Sequence, residues 1–162
     1  NCFEGRMTSE LALLFAGTGV GFEIYEVSPG RSNIVAMFCS DPGRPTLLWE
    51  AHQDTVPVGG MTIPPFEPQV RDGRLYGRGA CDVKGGMAAM LSAFFRLIRE
   101  KPAGAANVVM ACTCDEEATA TGAAELVRLW GDRATPGSIL GRRPDAAVIA
   151  EPTGLDVVVA HR

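Results

Sequence analysis

Four clusters in the chain carry groups that could bind a cation together. They are Glu50-Ala51-His52-Gln53-Asp54, Asp82 within the glycine-rich run from Gly77 to Gly86, Asp115-Glu116-Glu117, and Glu151-Pro152. Each follows, or closes, an apolar run. One imidazole and several carboxylates at strand ends can converge on a crevice and hold a hard-to-borderline cation such as zinc. The chemistry that points to is metal-assisted hydrolysis.

His52 and Asp54 are two residues apart, so in extended chain they project from one face. A carboxylate beside a ligand histidine accepts its second N–H, fixes the tautomer and raises its basicity. Asp82 follows a glycine-rich turn but fits neither nucleotide motif. A phosphate-binding loop needs Ser or Thr after its lysine, whereas Lys84 precedes Gly85, and a dinucleotide fingerprint needs glycine where Asp82 stands. What remains is a tight turn presenting a carboxylate at a helix start, where the dipole favours an anion; plain N-cap duty is the alternative. Glu116 and Glu117 adjoin, so their side chains diverge, and one can bind metal while the other reaches a water as general base. A solvated acidic loop is the bland reading of that triplet. Pro152 holds Glu151 extended. His161, beside Arg162, reads as a solvated strand residue rather than a ligand.

The elements that must position these groups follow from periodicity. Met7 to Ala16 places Met7, Leu11, Leu14 and Phe15 on one helical stripe, with Thr8 or Ser9 as N-cap and Gly17 as stop. Strands are expected over 21–27 and 33–38, joined through Ser28-Pro29-Gly30, and over 46–51 running into His52. Four prolines between Pro57 and Pro68 imply an extended surface loop, and Asp72-Gly73 turns a small hairpin over 70–76. Met87, Met90, Leu91, Phe94 and Ile98 give the helix over 87–99 one apolar face. A buried strand over 107–113, a helix over 123–130, a strand over 146–150 and a last one over 156–160 complete the set. Strands alternating with helices predict an α/β fold, a three-layer sandwich with a mixed, mainly parallel sheet. In such sheets the crevice lies beyond the carboxyl ends of the strands, which is where His52, the acidic triplet and Glu151 fall.

The chain has 162 residues, 46% hydrophobic and 21% charged, with a formal net charge of −4. That suits one globular domain and no polyanionic partner, so no nucleic acid is expected, and no apolar run is long enough to predict a membrane partner. Five cysteines lack zinc-finger spacing; Cys112 and Cys114 share a strand face and read as buried, reduced thiols of a cytoplasmic protein.

In this order the clusters resemble the zinc-dependent family of aminoacylases, acetylornithine deacetylases, succinyl-diaminopimelate desuccinylases and glutamate carboxypeptidases. The stretches that carry the resemblance are His52 to Pro57, Pro65-Phe66-Glu67-Pro68, Asp72 to Gly79, Asp82 to Gly86, Asp115-Glu116-Glu117 and Glu151-Pro152-Thr153-Gly154. The resemblance implies a phosphorylase/hydrolase-like zinc exopeptidase catalytic domain. It implies two Zn2+ (or Co2+ or Mn2+) bridged by Asp82, with His52 and Glu151 completing one site and Glu117 serving the other. Glu116 would be the general base and Asp54 would orient His52. It also implies a cis peptide after Asp82, and a parent that is a homodimer.

On this reading, residues 1–162 are the N-terminal part of the catalytic domain. The lid or dimerisation domain and the C-terminal part of the catalytic domain, with its final ligand histidine, are absent. The isolated chain is then expected to bind metal weakly and to hydrolyse little. The expected activity of the parent is amide cleavage of N-acyl amino acids. A dipeptidase or carboxypeptidase acting on short peptides is the alternative, and a truncated, non-catalytic binding module is the competing class.

Overall fold

The computed structural model describes residues 4–131, 137–154, 156 and 157. The first helix, α1 (Gly5–Thr18), begins a turn before the expected caps and ends on Gly19 in the left-handed region (φ 71°). Thr8 and Ser9 do not cap it. The Thr8 hydroxyl donates to Gln53 Oε1 at 2.8 Å and Ser9 to the Gly5 carbonyl, because both already lie inside the helix. The buried stripe is Thr8, Leu11 and Phe15. It is rotated from the expected one, so Leu14 falls at its edge and stays half-exposed.

β1 (Phe22–Ser28) and β2 (Arg31–Phe38) form a hairpin. β3 (Thr46–His52) ends at the predicted imidazole. The hairpin of β4 (Gln69–Arg71) and β5 (Arg74–Tyr76) turns on Asp72 and Gly73, both at positive φ (50° and 73°), as a two-residue Asp-Gly turn requires. A kinked turn over Ala80–Lys84 leads into α2 (Gly85–Glu100). β6 (Asn107–Thr113), α3 (Thr121–Gly131) and β7 (Ala146–Ile149) follow. The expected last strand and His161 lie almost wholly outside the described residues; Asp156 and Val157, which are described, are not in a strand.

The main sheet has the order β1-β2-β6-β3-β7. β3 pairs parallel with both β6 and β7, while β2 pairs antiparallel with both β1 and β6. The sheet is therefore mixed, as expected, with two parallel and two antiparallel pairings among the described residues. The β1–β2 pairing has a local reason: Pro29-Gly30 returns the chain directly, with Gly30 at φ 78°, and a tight hairpin can only join antiparallel strands.

From β3 the chain steps to β6 through α2, then back past β3 to β7 through α3. Parallel crossovers keep one hand, so reversing the step sends the two helices to opposite faces. Alternation along the strands fills both cores. Ile34, Ala36, Phe38, Met110 and Cys112 pack under α1 and α2. Val35, Leu48, Val109 and Ala111 pack with Leu126 of α3 and Leu140. The result is the expected three-layer α/β sandwich. Among the described residues no helix is long and apolar enough to cross a membrane.

Candidate metal centre

The reversal of direction between the two crossovers opens a crevice at the carboxyl ends of β3, β6 and β7. β3 delivers His52 there with its side chain 1% exposed. Gln53 fixes that strand end. Its side-chain amide donates to the Ser32 and Cys112 carbonyls at 2.8 Å each, and its backbone N–H donates to Thr113 O at 2.7 Å.

Three carboxylates surround His52 Nε2: Asp82 Oδ1 at 2.9 Å, Glu151 Oε1 at 3.7 Å and Glu116 Oε2 at 3.9 Å. Each comes from a different segment. Asp82 comes from the kinked turn, whose Asp82–Val83 peptide is cis, as the resemblance implied. Glu116 comes from the loop after β6, and Glu151 from the residues after β7. Among the described residues, two triplets have donor atoms within 4.8 Å of one another: His52, Asp82 and Glu117, and His52, Glu116 and Glu151. All five predicted groups thus share one crevice. The expected trio of His52, Asp82 and Glu151 is not itself one of these triplets, although both carboxylates face the same imidazole nitrogen.

The sixth predicted residue, Asp54, contacts more than His52. His52 Nδ1 makes its closer contact with the Asp54 main-chain carbonyl (3.0 Å), and the carboxylate flanks it at 3.5 Å. The carboxylate mainly accepts the backbone N–H groups of Glu116 (3.1 Å) and Glu117 (3.0 Å). One side chain therefore orients the imidazole and both glutamates. Burial would raise the Asp54 pKa, but bonds from His52 and the two amides outweigh it and hold the carboxyl at about 2. For His52, burial acts to lower the pKa; hydrogen bonds to Asp54 and Asp82 and the charge of Glu116 push it up to about 9. Burial raises the Glu151 pKa. The crevice has a surplus of negative charge around a single imidazole, a donor set of nitrogen and carboxylate oxygen that suits zinc or a similar divalent ion.

Asp115, first of the acidic triplet, is not part of this set. It is buried at φ 64° and turned away into an ion pair with Arg31, which also pairs with buried Glu4. Thr119 and Thr121 donate to the Asp115 carboxylate as well. This network sets the bend that aims Glu116 and Glu117 at the crevice, and single-sequence patterning missed it because Glu4 and Arg31 lie far away in the chain. Lys84, which ruled out a phosphate loop, donates from Nζ to the Gln53 carbonyl. Cys112, in β6, and Cys114, just after it, are buried free thiols; burial pushes both thiol pKa values up, that of Cys114 to about 11. They take no part in the cluster. A cavity of about 420 Å3 beside Val20, Phe38, Arg44 and Ile98 lies at the opposite end of the sheet and touches none of these groups.

The sequence-family model described as Peptidase family M20/M25/M40 matches residues 48–161, which spans His52, Asp54, Asp82, Glu116, Glu117 and Glu151. A succinyl-diaminopimelate desuccinylase of Azoarcus sp. (strain BH72) is 39% identical over 130 residues, covering 78% of this chain and 32% of that protein. One from Gluconacetobacter diazotrophicus is 39% identical over 147 residues, covering 85% and 36%. The chain therefore spans about a third of the length of these relatives. Among solved structures, human carnosine dipeptidase 1 superposes with a TM-score of 0.75 at 26% identity, covering 91% of this chain and 32% of that one.

Proposed function

Because the chain belongs to peptidase family M20/M25/M40, we propose that its whole protein is a metal-dependent hydrolase cleaving the amide bond of N-acyl amino acids. The observation that carries this reading is the ring of three carboxylates about His52 Nε2. The identity to desuccinylases supports the choice of an acyl amino acid as substrate. Residues 1–162 are read as the N-terminal part of the catalytic domain, since the chain spans only about a third of the length of these relatives. The whole protein is read as a cytoplasmic homodimer.

His52, Asp82, Glu117 and Glu151 would hold the metal, with Asp82 shared between two Zn2+, or Co2+ or Mn2+ in their place. A divalent ion bound there supplies Lewis-acid polarisation of the amide carbonyl and a lowered pKa for water. The residues of the chain do the rest. Glu116, with its side chain 42% exposed, takes a proton from the attacking water and delivers it to the leaving nitrogen. Asp54 keeps Glu116 on the crevice by holding its backbone N–H. It also keeps the imidazole of His52 in register, which leaves Nε2 directed at the carboxylates.

A dipeptidase is the second reading, and the similarity to human carnosine dipeptidase 1 favours it. Assaying the full-length protein, with and without zinc, on N-succinyl and N-acetyl amino acids and on dipeptides separates the two. Zinc-dependent release of free amino acid from the acyl substrates supports deacylation. Turnover confined to dipeptides would transfer the protein to the second reading, and no zinc-dependent hydrolysis of either would refute both.

A further inference from the structure

The proline-rich loop and the β4–β5 hairpin carry large apolar side chains that stand largely exposed. Phe66 is 75% exposed, Val70 74% and Leu75 56%. Val70 and Leu75 face each other across the hairpin, so they contribute to one surface rather than to scattered positions. An exposed cluster of large apolar groups on a small protein signals a binding surface.

The cluster borders a cavity of about 260 Å3, lined by Pro65, Phe66, Leu75, Tyr76, Ala80 and Lys84 among others. The cavity lies beside the candidate metal centre. Ala80 is two residues before Asp82, Lys84 two residues after it, and the Lys84 ammonium reaches the carbonyl next to His52. Its wall is fastened to the loop leaving β3: Arg78 N–H donates to Pro65 O at 2.8 Å and Arg78 Nη2 to Pro57 O at 3.1 Å. On that loop Val56, itself 40% exposed, donates its N–H to Glu117 Oε1 at 3.2 Å. An apolar rim thus runs from the hairpin to a residue touching the carboxylate cluster.

The two cations in the wall are each anchored to a main-chain carbonyl. The Lys84 and Arg78 heads are directed at the Gln53 and Pro57 carbonyls. Their aliphatic stems remain to line the cavity, the usual way such side chains cover apolar surface. A hydrocarbon group entering the cavity gains apolar contact while leaving those bonds in place.

We propose that this cavity is a specificity subsite that takes an uncharged apolar group of the substrate, an aliphatic or aromatic side chain attached next to the scissile amide. The proposal rests on the amide-hydrolase reading for its place in catalysis, but its binding step does not. The test uses the full-length protein, its Phe66→Ser/Leu75→Ser double variant, and two measurements. In the first, metal-free protein is titrated with N-acetylphenylalanine amide, N-acetylleucine amide and N-acetylglycine amide, following Tyr76 and Ala80 resonances by NMR. In the second, kcat/KM is measured with zinc for acyl amino acids bearing Gly, Leu or Phe.

Saturable shifts at Tyr76 and Ala80 are expected with the Leu and Phe ligands, at least about tenfold tighter than with Gly, since one apolar group is worth roughly 10–200-fold in such sites. The double variant should lose that preference while keeping its melting temperature and its turnover of the Gly substrate. If no substrate is hydrolysed but the NMR preference is present, the hydrolase reading fails and the subsite stands. Equal binding of all three amides overturns the subsite, as does a preference that survives the double substitution. A large fall in melting temperature with no change in preference would assign the patch to another segment of the protein, and would also overturn it.

Discussion

Asp54→Asn tests whether one carboxylate organises the crevice. The carboxylate accepts backbone N–H groups from Glu116 and Glu117 at 3.1 and 3.0 Å. An amide has one oxygen and one NH2 at the same positions, so one of the two acceptances is lost and the charge with it. A hydrogen bond to a charged group contributes about 1.5–3 kcal/mol. Linkage gives a similar size: a pKa of about 2 against an ordinary 3.8 corresponds to about 2 kcal/mol at neutral pH. The sign follows from the direction of the shift. A depressed carboxyl pKa contributes stability above the unfolded value, and that stability is lost as the pH falls from about 4 through about 2. Urea unfolding of metal-free protein should therefore show Asp54→Asn less stable than wild type by about 2–3 kcal/mol at pH 7. The gap should narrow as the pH is taken from 4 to 3. A gap under about 0.5 kcal/mol at pH 7, where surface substitutions usually fall, would refute the role given to Asp54. So would a gap of the same size at pH 3 as at pH 7.

Glu116→Gln in the full-length protein should preserve folding and zinc content and slow amide hydrolysis by about 10²–10⁴-fold, measured as kcat at saturating substrate. Glu117→Gln should weaken zinc binding, read by competition with a chromophoric chelator, while leaving the metal-free melting temperature within about 2 °C of wild type, as for a surface change. At Gly86 a Cβ would lie 2.9 Å from the Ala150 carbonyl oxygen. Gly86→Ala should therefore push α2 away from the segment that carries Glu151 and lower the melting temperature by roughly 4–8 °C.

Much of the fold could be read from the sequence because its patterning is local. The stripe of Met87, Leu91 and Phe94 and the uninterrupted apolar run of β6 each identify their element without help from distant residues. The sheet's even balance of parallel and antiparallel pairs was harder. Nothing in β2 itself says that its second neighbour will be β6. The candidate site was legible because His52 closes β3 while Glu116 and Glu151 follow the ends of β6 and β7, and strand ends gather at one edge of such a sheet. Division of labour within it was not. Asp115 and Glu116 are adjacent acids of the same chemistry, yet one is locked by Arg31, Thr119 and Thr121 while the other stays half-exposed in the crevice. That difference arises from tertiary partners and a positive φ, which no local pattern encodes. The α1 caps failed for a related reason: Thr8 is a good N-cap residue that Gln53, 45 positions on, engages instead.

The account stands on the claim that this crevice is a metal centre. The most direct test is a crystal structure of zinc-soaked protein with anomalous difference density at the zinc edge. The account predicts a peak in the crevice, about 2.0–2.2 Å from His52 Nε2 and a carboxylate oxygen of Asp82, Glu117 or Glu151, and loss of that peak in His52→Ala. Zinc bound elsewhere, at the exposed cysteines Cys39 or Cys81 for example, with none in the crevice, would contradict it.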